Sequence, residues 1–281
     1  MSVPDRVGVI GGGRMGSGIA HAFVLAGAEV CVVERDAGAA EAARGAVERA
    51  VAESVRRGVV DHAGPVLQRV RVSARYEDLE GAGLVVEAVP EKQLLKVESL
   101  RRAEDVVGPG AVLATNTSSL SVHLIAEDLQ HPGRLLGMHF FNPVPASKLV
   151  EVVVGPETED DLPGLVVQWV TALGKTPIVV KDSPGFASSR LGVALGLEAI
   201  RMLEEGVASA EDIDAAMTLG YGHPMGPLRL TDLVGLDVRL GIARFLHESV
   251  GERFRPPGLL VEMVERGDLG RKTGRGFYAW E

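Results

Sequence analysis

Among the seven histidines of the chain, His139 has neighbours that suit proton transfer. It closes the apolar run Leu135-Leu136-Gly137-Met138 and leads into Phe140-Phe141-Asn142-Pro143, and Glu151 follows twelve residues after it. An imidazole, with an unperturbed pKa of roughly 6.5, exchanges a proton near neutral pH. A carboxylate on its far nitrogen fixes the tautomer and stabilises the imidazolium. The loop through Asn142-Pro143-Val144-Pro145 is long enough to return Glu151 beside His139 on the next strand. A satisfied core histidine, with Glu151 on a strand surface, fits the same spacing equally well. Thr115-Asn116-Thr117-Ser118-Ser119 adds hydroxyls and an amide at the end of another strand, although Ser119 also suits a helix N-cap.

A second constellation is Gly11-Gly12-Gly13-Arg14-Met15-Gly16, which directly follows the first strand and opens a helix. Gly11 permits the tight turn, Gly13 lets the backbone approach a pyrophosphate, and Gly16 permits close helix–strand packing. The helix N-terminus offers unpaired N–H groups and a partial positive charge to the anion. The pattern alone is weak. Its strand–turn–helix setting and the acidic Glu34 at the end of the second strand strengthen it. Glu34 can accept from both ribose hydroxyls of NAD and would repel the 2′-phosphate of NADP, while Arg35 pulls the other way. A glycine-rich turn without a nucleotide is the plain alternative; FAD is another, but no second segment suits it. Read together, the two constellations suggest a dehydrogenase.

These residues must be held by a sheet. Val7–Ile10, Val30–Val33, Leu84–Val86, Val112–Leu113 and Leu135–Met138 are apolar without alternation, as strands buried on both faces are. Helical patterns over Arg14–Ala26 and Ala37–Arg57 separate them. The rhythm predicts an α/β, Rossmann-like, mostly parallel sheet, with Leu149–Val154 and Ile178–Val180 as late strands. From Ser188 the pattern turns all-helical. Leu191, Leu195 and Met202 would share one face, Ile213, Ala216 and Met217 another, and Val238, Ile242, Phe245 and Leu246 a third. Gly206 would end one helix and Ser209-x-x-Asp212 start the next. Pro184-Gly185 marks the boundary, which gives a dinucleotide-binding domain over 1–183 and a helical domain over 184–281. A helical part so small and so rich in apolar stripes is expected to dimerise.

The formal net charge of −9 argues against a nucleic-acid or anionic-membrane partner. No apolar run is long enough to span a bilayer, and the N-terminal stretch has no signal-peptide pattern, so a cytoplasmic location is the default expectation. Cys31 is the only cysteine, which excludes an internal disulfide, and its strand setting reads as core. No metal site is expected.

These motifs together make the chain resemble the L-3-hydroxyacyl-CoA dehydrogenase family in its short bacterial, 3-hydroxybutyryl-CoA dehydrogenase form. The landmarks run from Val7 to Trp280 and include Gly11–Ala20, Val85–Glu91, Thr115–Leu120, His139–Pro145, Lys148–Val152, Lys181–Arg190, Gly222–Pro227 and Gly270–Tyr278. The resemblance implies NAD-dependent, reversible oxidation of an L-3-hydroxyacyl-CoA to the 3-oxoacyl-CoA. It implies His139 as the base and Glu151 as its orienting carboxylate, with Ser118 and Asn142 on the substrate oxygens. It also implies Glu91 and Lys96 at the nicotinamide and its ribose, Lys272 as a further cofactor contact, and a homodimer through the helical half. One departure stands out: Ser189 occupies a position where the family usually has Asn, which puts that residue's part in holding the catalytic geometry in doubt. Because CoA carries phosphates, Arg49 and Arg56, seven apart on one helix face, are candidate contacts, and a solvated face is at least as good a reading. Three other readings stay open: a dehydrogenase of a free hydroxy acid or sugar acid, a non-catalytic NAD-binding dimer, and the β-hydroxyacid dehydrogenase group. The last relies on a catalytic lysine in the helical half, where this chain offers His139 and Glu151 instead.

Overall fold

Short β-branched runs become the strands of one eight-stranded sheet in a computed structural model that describes residues 2–281. The chain divides into two units, Met1–Ser183 and Pro184–Glu281. In the first unit the strands are β1 (Arg6–Ile10), β2 (Glu29–Val33), β3 (Val70–Ser73), β4 (Leu84–Glu87), β5 (Val112–Thr115), β6 (Leu135–Phe140), β7 (Leu149–Val154) and β8 (Thr176–Lys181). Their order is β3-β2-β1-β4-β5-β6-β7-β8. All neighbours run parallel except β6 and β7, which are antiparallel. Every residue of β4, β5 and β6 is buried, because helices cover both faces there.

The covering helices are α1 (Arg14–Leu25), α2 (Ala37–Arg56), α3 (Ala63–Leu67), α4 (Gln93–Glu104), α5 (Val122–Ala126) and α6 (Leu162–Ala172). Ile19 and Phe23 of α1, Val47 and Val51 of α2, and Val166 and Val170 of α6 join Val9, Val32 and Val152 of the sheet in one core. Sequential strands run outward from β1 in one direction to β3, then restart at β4 on its other side. The carboxyl end of β1, where the glycine loop sits, is therefore the point at which the strand order reverses. Open α/β sheets bind ligands at that point. Strand β3 has no counterpart in the sequence-based expectation. Its Val-Arg-Val-Ser run is short, and on the sheet edge only Val72 is buried.

The second unit holds α7 (Ser188–Glu204), α8 (Ala210–Gly220), α9 (Pro227–Val234), α10 (Leu236–Val250) and α11 (Gly258–Arg266). Gly206 follows α7 with a φ of +72°, and the Ser209 hydroxyl caps α8 by accepting from Asp212 N–H at 3.1 Å, as the sequence predicts. The buried faces match the predicted ones only in part: Ile213 and Leu246 are buried, and Met202, Ile242 and Phe245 pack against the same core. On α7 the core side is Val193, Leu197 and Ile200, whereas Leu191 is 71% exposed. On α10 it is Leu236, Leu240, Ala243 and Leu246, whereas Val238 is exposed. Both helices carry apolar residues on more than one side, so periodicity fits two stripes, and packing selects the one that meets Leu228, Phe254 and Leu260. The buried Asp232 of α9 accepts from Phe277 N–H, Tyr278 N–H and Trp280 Nε1, which ties down the C-terminal segment. Among the described residues no helix is long and apolar enough to cross a membrane.

Candidate active site

The register of β6 and β7 sets His139 directly opposite Glu151. Residues opposed across an antiparallel pair have their Cβ atoms about 5 Å apart, so the side chains meet without a loop to guide them. His139 Nδ1 lies 2.7 Å from Glu151 Oε2. Glu151 is fully buried and His139 is nearly so. An ionised carboxylate only accepts, so Nδ1 is the donor in this pair. Asn116 reinforces the position. Its Oδ1 accepts from Phe140 N–H at 2.9 Å and joins the end of β5 to the residue after His139. The ring of Phe141 lies 4.4 Å from the imidazole.

Ser118 lies just past β5, half-buried, in a turn organised by Glu91. Glu91 Oε1 accepts from Thr117 Oγ1 at 2.6 Å, Ser118 N–H at 2.9 Å and Ser119 N–H at 3.2 Å, and its Oε2 lies 3.1 Å from Lys96 Nζ. Burial opposes ionisation of Glu91, but Lys96, Thr117 and the Ser118 N–H outweigh it and hold the carboxyl below the usual range. Lys96 is itself buried and paired with Glu87. Neither Glu87 nor the capping work of Glu91 was evident from motif spacing. Asn142 is exposed, and its bond to Pro143 is cis.

The glycine loop fits a dinucleotide. Gly11 has a φ of +87°, which favours glycine, and its N–H donates to Val33 O at 2.8 Å. A Cβ on Gly16 would lie 1.7 Å from Gly11 O, so only glycine lets α1 start this close to the turn. A Cβ on Gly13 would meet nothing within 4 Å, which leaves the backbone open to an approaching anion. Gly13 is also the N-cap of α1 and has no side-chain cap, so the first N–H groups of the helix are available to phosphate oxygens. Met15 is half-buried against the core beside them. Glu34 Oε1 accepts from Gly12 N–H at 2.7 Å, which places a carboxylate at the end of β2 where ribose hydroxyls would sit. Arg35 pairs with Asp36 at 3.0 Å and is mostly exposed.

Beside the loop that follows β6, a cavity of about 570 Å³ opens between α1, α2 and the turn before β8. Ala22, Leu25, Pro143, Pro145 and Leu173 give it an apolar wall, and His21, Ser54, Arg57 and Lys175 give it polar groups. Lys175 Nζ donates to Val144 O and Ser147 O, both at 2.6 Å, and so pins the loop. Arg57 is the arginine of this helix end that lines the cavity. Arg49 and Arg56 lie on the exposed face of α2, where Arg56 pairs with Glu53. Both sit on α2 as their spacing predicts, and the burial of Val47, Val51 and Ser54 turns the other side of the helix inward. Of the remaining candidates, Ser189 is half-buried on the first turn of α7. Lys272 pairs with Asp237 Oδ2 at 2.6 Å within the second unit.

Residues 6–183 match the model of the 3-hydroxyacyl-CoA dehydrogenase NAD-binding domain, and residues 185–280 match that of the C-terminal domain. The chain belongs to the 3-hydroxyacyl-CoA dehydrogenase family. It is 40% identical over 277 residues to a probable 3-hydroxybutyryl-CoA dehydrogenase of Deinococcus radiodurans, covering 98% of this chain and 100% of that one. It is 44% identical over 287 residues to a 3-hydroxybutyryl-CoA dehydrogenase of Mycobacterium tuberculosis, covering 98% of each. The crystal structure of (S)-3-hydroxybutyryl-CoA dehydrogenase from Ralstonia eutropha superposes with a TM-score of 0.94 at 38% identity, covering 99% of both chains. As a member of this family the chain is an NAD-dependent oxidoreductase, which is consistent with the glycine cradle, and it acts on acyl-CoA.

Proposed function

We propose that this dehydrogenase interconverts a short-chain L-3-hydroxyacyl-CoA, such as 3-hydroxybutyryl-CoA, and its 3-oxoacyl-CoA, with His139 and Glu151 as the acid–base pair. The observation that carries this reading is the 2.7 Å contact between His139 Nδ1 and the buried Glu151 carboxylate. It holds the imidazole by Nδ1 and leaves Nε2 as the nitrogen that exchanges the proton. In the oxidising direction Nε2 takes the proton of the substrate hydroxyl, and the imidazolium that forms is stabilised by Glu151. Bound NAD supplies the hydride acceptor. In the reducing direction the same nitrogen returns the proton to the carbonyl oxygen. Ser118 and Asn142 supply hydrogen bonds to the substrate oxygens, and Ser189 takes the place usually held by an amide. Lys272 adds a further cofactor contact.

The short chain is suggested by the printed names of the relatives above. The cavity beside Pro143 and Pro145 suits the slender apolar arm of CoA, with Arg57 as the nearest cation for its phosphates and Arg49 and Arg56 further along the exposed helix. A homodimer through the helical unit would cover the exposed Leu191, Leu230, Val234 and Val238.

Initial rates with NADH on acetoacetyl-CoA, longer 3-oxoacyl-CoAs and free acetoacetate test the substrate assignment. Activity on the free acid without activity on the thioester would overturn it. A His139→Gln enzyme should bind NADH normally and lose most of its turnover; near-normal turnover would remove His139 from its role.

A further inference from the structure

Glu87, the last residue of β4, is fully buried, and neither the proton-transfer pair nor the glycine loop accounts for it. Its Oε1 accepts from Val89 N–H at 2.7 Å and from Lys96 Nζ at 2.9 Å. Its Oε2 accepts from Thr115 Oγ1 at 2.7 Å. Lys96 is 1% exposed and is shared with Glu91 at 3.1 Å. Two carboxylates therefore surround one ammonium. Burial pushes the Glu87 carboxyl up, and Lys96 and Thr115 pull it back. Every contact on its two oxygens comes from a donor, as a carboxylate accepts, and with both carboxylates ionised the cluster carries one net negative charge. A structural ion pair would need only one of these carboxylates.

The cluster also has a telling place in the sheet. Glu34 stands at the end of β2, the glycine loop at the end of β1, and the Glu87–Lys96–Glu91 cluster across the ends of β4 and β5. A dinucleotide with its adenine ribose at Glu34 and its pyrophosphate at Gly13 must run across β1 toward β4 and β5. Its nicotinamide half then lies above the cluster. The nicotinamide ring is a cation when oxidised and neutral when reduced.

We infer that the Glu87–Lys96–Glu91 cluster biases the binding site toward the oxidised cofactor, and that Glu87 supplies the excess negative charge. The inference rests on the proposed lie of the cofactor across β1. Glu87 acts on affinity and takes no part in the proton transfer. A unit charge acting over roughly 10 Å through a partly screened interior changes affinity by about fivefold.

The test is to measure dissociation constants for NAD⁺, NADH and ADP-ribose by calorimetry on wild type, Glu87→Gln and Thr115→Val. Glu87→Gln keeps the shape and removes the charge. It should weaken NAD⁺ by about fivefold and leave NADH and ADP-ribose within a factor of about two. Thr115→Val removes one donor to Glu87, which favours its neutral form, and should shift the NAD⁺-to-NADH ratio in the same direction as Glu87→Gln and by no more. Glu91→Gln makes the same charge change at a half-exposed position that also organises the Ser118 turn, so only its NAD⁺-to-NADH ratio is read, and that ratio should shift in the same way if Glu87→Gln does not fold. Equal weakening of all three ligands, or an unchanged ratio in both charge variants, would overturn the inference while leaving NAD binding intact. Failure of the wild type to bind either redox form would instead overturn the cofactor site itself.

Discussion

Replacing Glu151 with Gln tests the acid–base pair more sharply than removing the histidine. The variant keeps the volume of a fully buried side chain opposite His139 and changes only its charge and hydrogen-bond character. Two effects add. An amide can turn its NH2 toward Nδ1, which forces the hydrogen onto Nε2 and leaves no base facing the substrate. The imidazolium formed during oxidation also loses its counter-charge. With Nδ1 and Oε2 at 2.7 Å in wild type, the charge centres lie about 4 Å apart, and an effective dielectric near 20 gives about 4 kcal/mol. Loss of one charge-assisted hydrogen bond alone costs about 1.5–3 kcal/mol. The two figures bracket a fall in kcat of about tenfold to a thousandfold, at about 1.4 kcal/mol per factor of ten. Acetoacetyl-CoA reduction, followed by the loss of NADH absorbance, measures kcat, and fluorescence titration measures NADH binding. The expected outcome is a large loss of kcat with an unchanged NADH dissociation constant. A Glu151→Gln enzyme within threefold of wild type would refute the reasoning.

Gly16→Ala should raise the NAD dissociation constant at least tenfold and lower the melting temperature, because its Cβ would lie 1.7 Å from Gly11 O; calorimetry and a thermal melt check both. Arg57→Glu should raise KM for acetoacetyl-CoA several-fold and leave KM for NADH unchanged, as steady-state kinetics would report. Arg239 of α10 is 5% exposed, its Nε has no hydrogen-bond partner, no carboxylate pairs with it among the described residues, and burial pushes its guanidinium down to about 10. Arg239→Met should therefore leave stability unchanged or raise it by about 1–3 kcal/mol in urea unfolding. Asp78 is held down to about 2 by Arg75 and by Ser73, so its stabilisation is complete above a pH of about 4 and is lost as the pH falls toward 2. Asp78→Asn should flatten that acid limb by about 1 kcal/mol, a figure discounted because Arg71 and Arg75 are largely exposed.

The parallel half of the sheet is readable from sequence because strands buried on both faces cannot disguise themselves. β4, β5 and β6 are apolar almost throughout. β3 escapes because an edge strand needs only one buried valine. The glycine loop is legible for a steric reason, since Gly11 and Gly16 each sit where a side chain does not fit. The pairing of His139 with Glu151 is only suggested by sequence, because spacing does not fix the register between strands. The helix faces of the second unit are ambiguous where α7 and α10 carry two apolar stripes. Glu87 is hidden for the opposite reason. It ends a run of core residues, and nothing local reveals that Lys96, nine positions on, returns to it.

The antiparallel register of β6 and β7 has a consequence for how such an enzyme diversifies. His139 and Glu151, the proposed base and its carboxylate, are aligned by the backbone ladder, so the connecting segment 141–148 is relieved of any duty to align them. That segment borders the cavity through Pro143 and Pro145 and is fastened to the body by Lys175 and by the buried Val144. On the proposed assignment, insertions or exchanges in it beyond Asn142 can reshape the cavity while the His139–Glu151 pairing stays in place. On that assignment selectivity and chemistry are separable in inheritance, with one written in a loop and the other in the pairing of two strands.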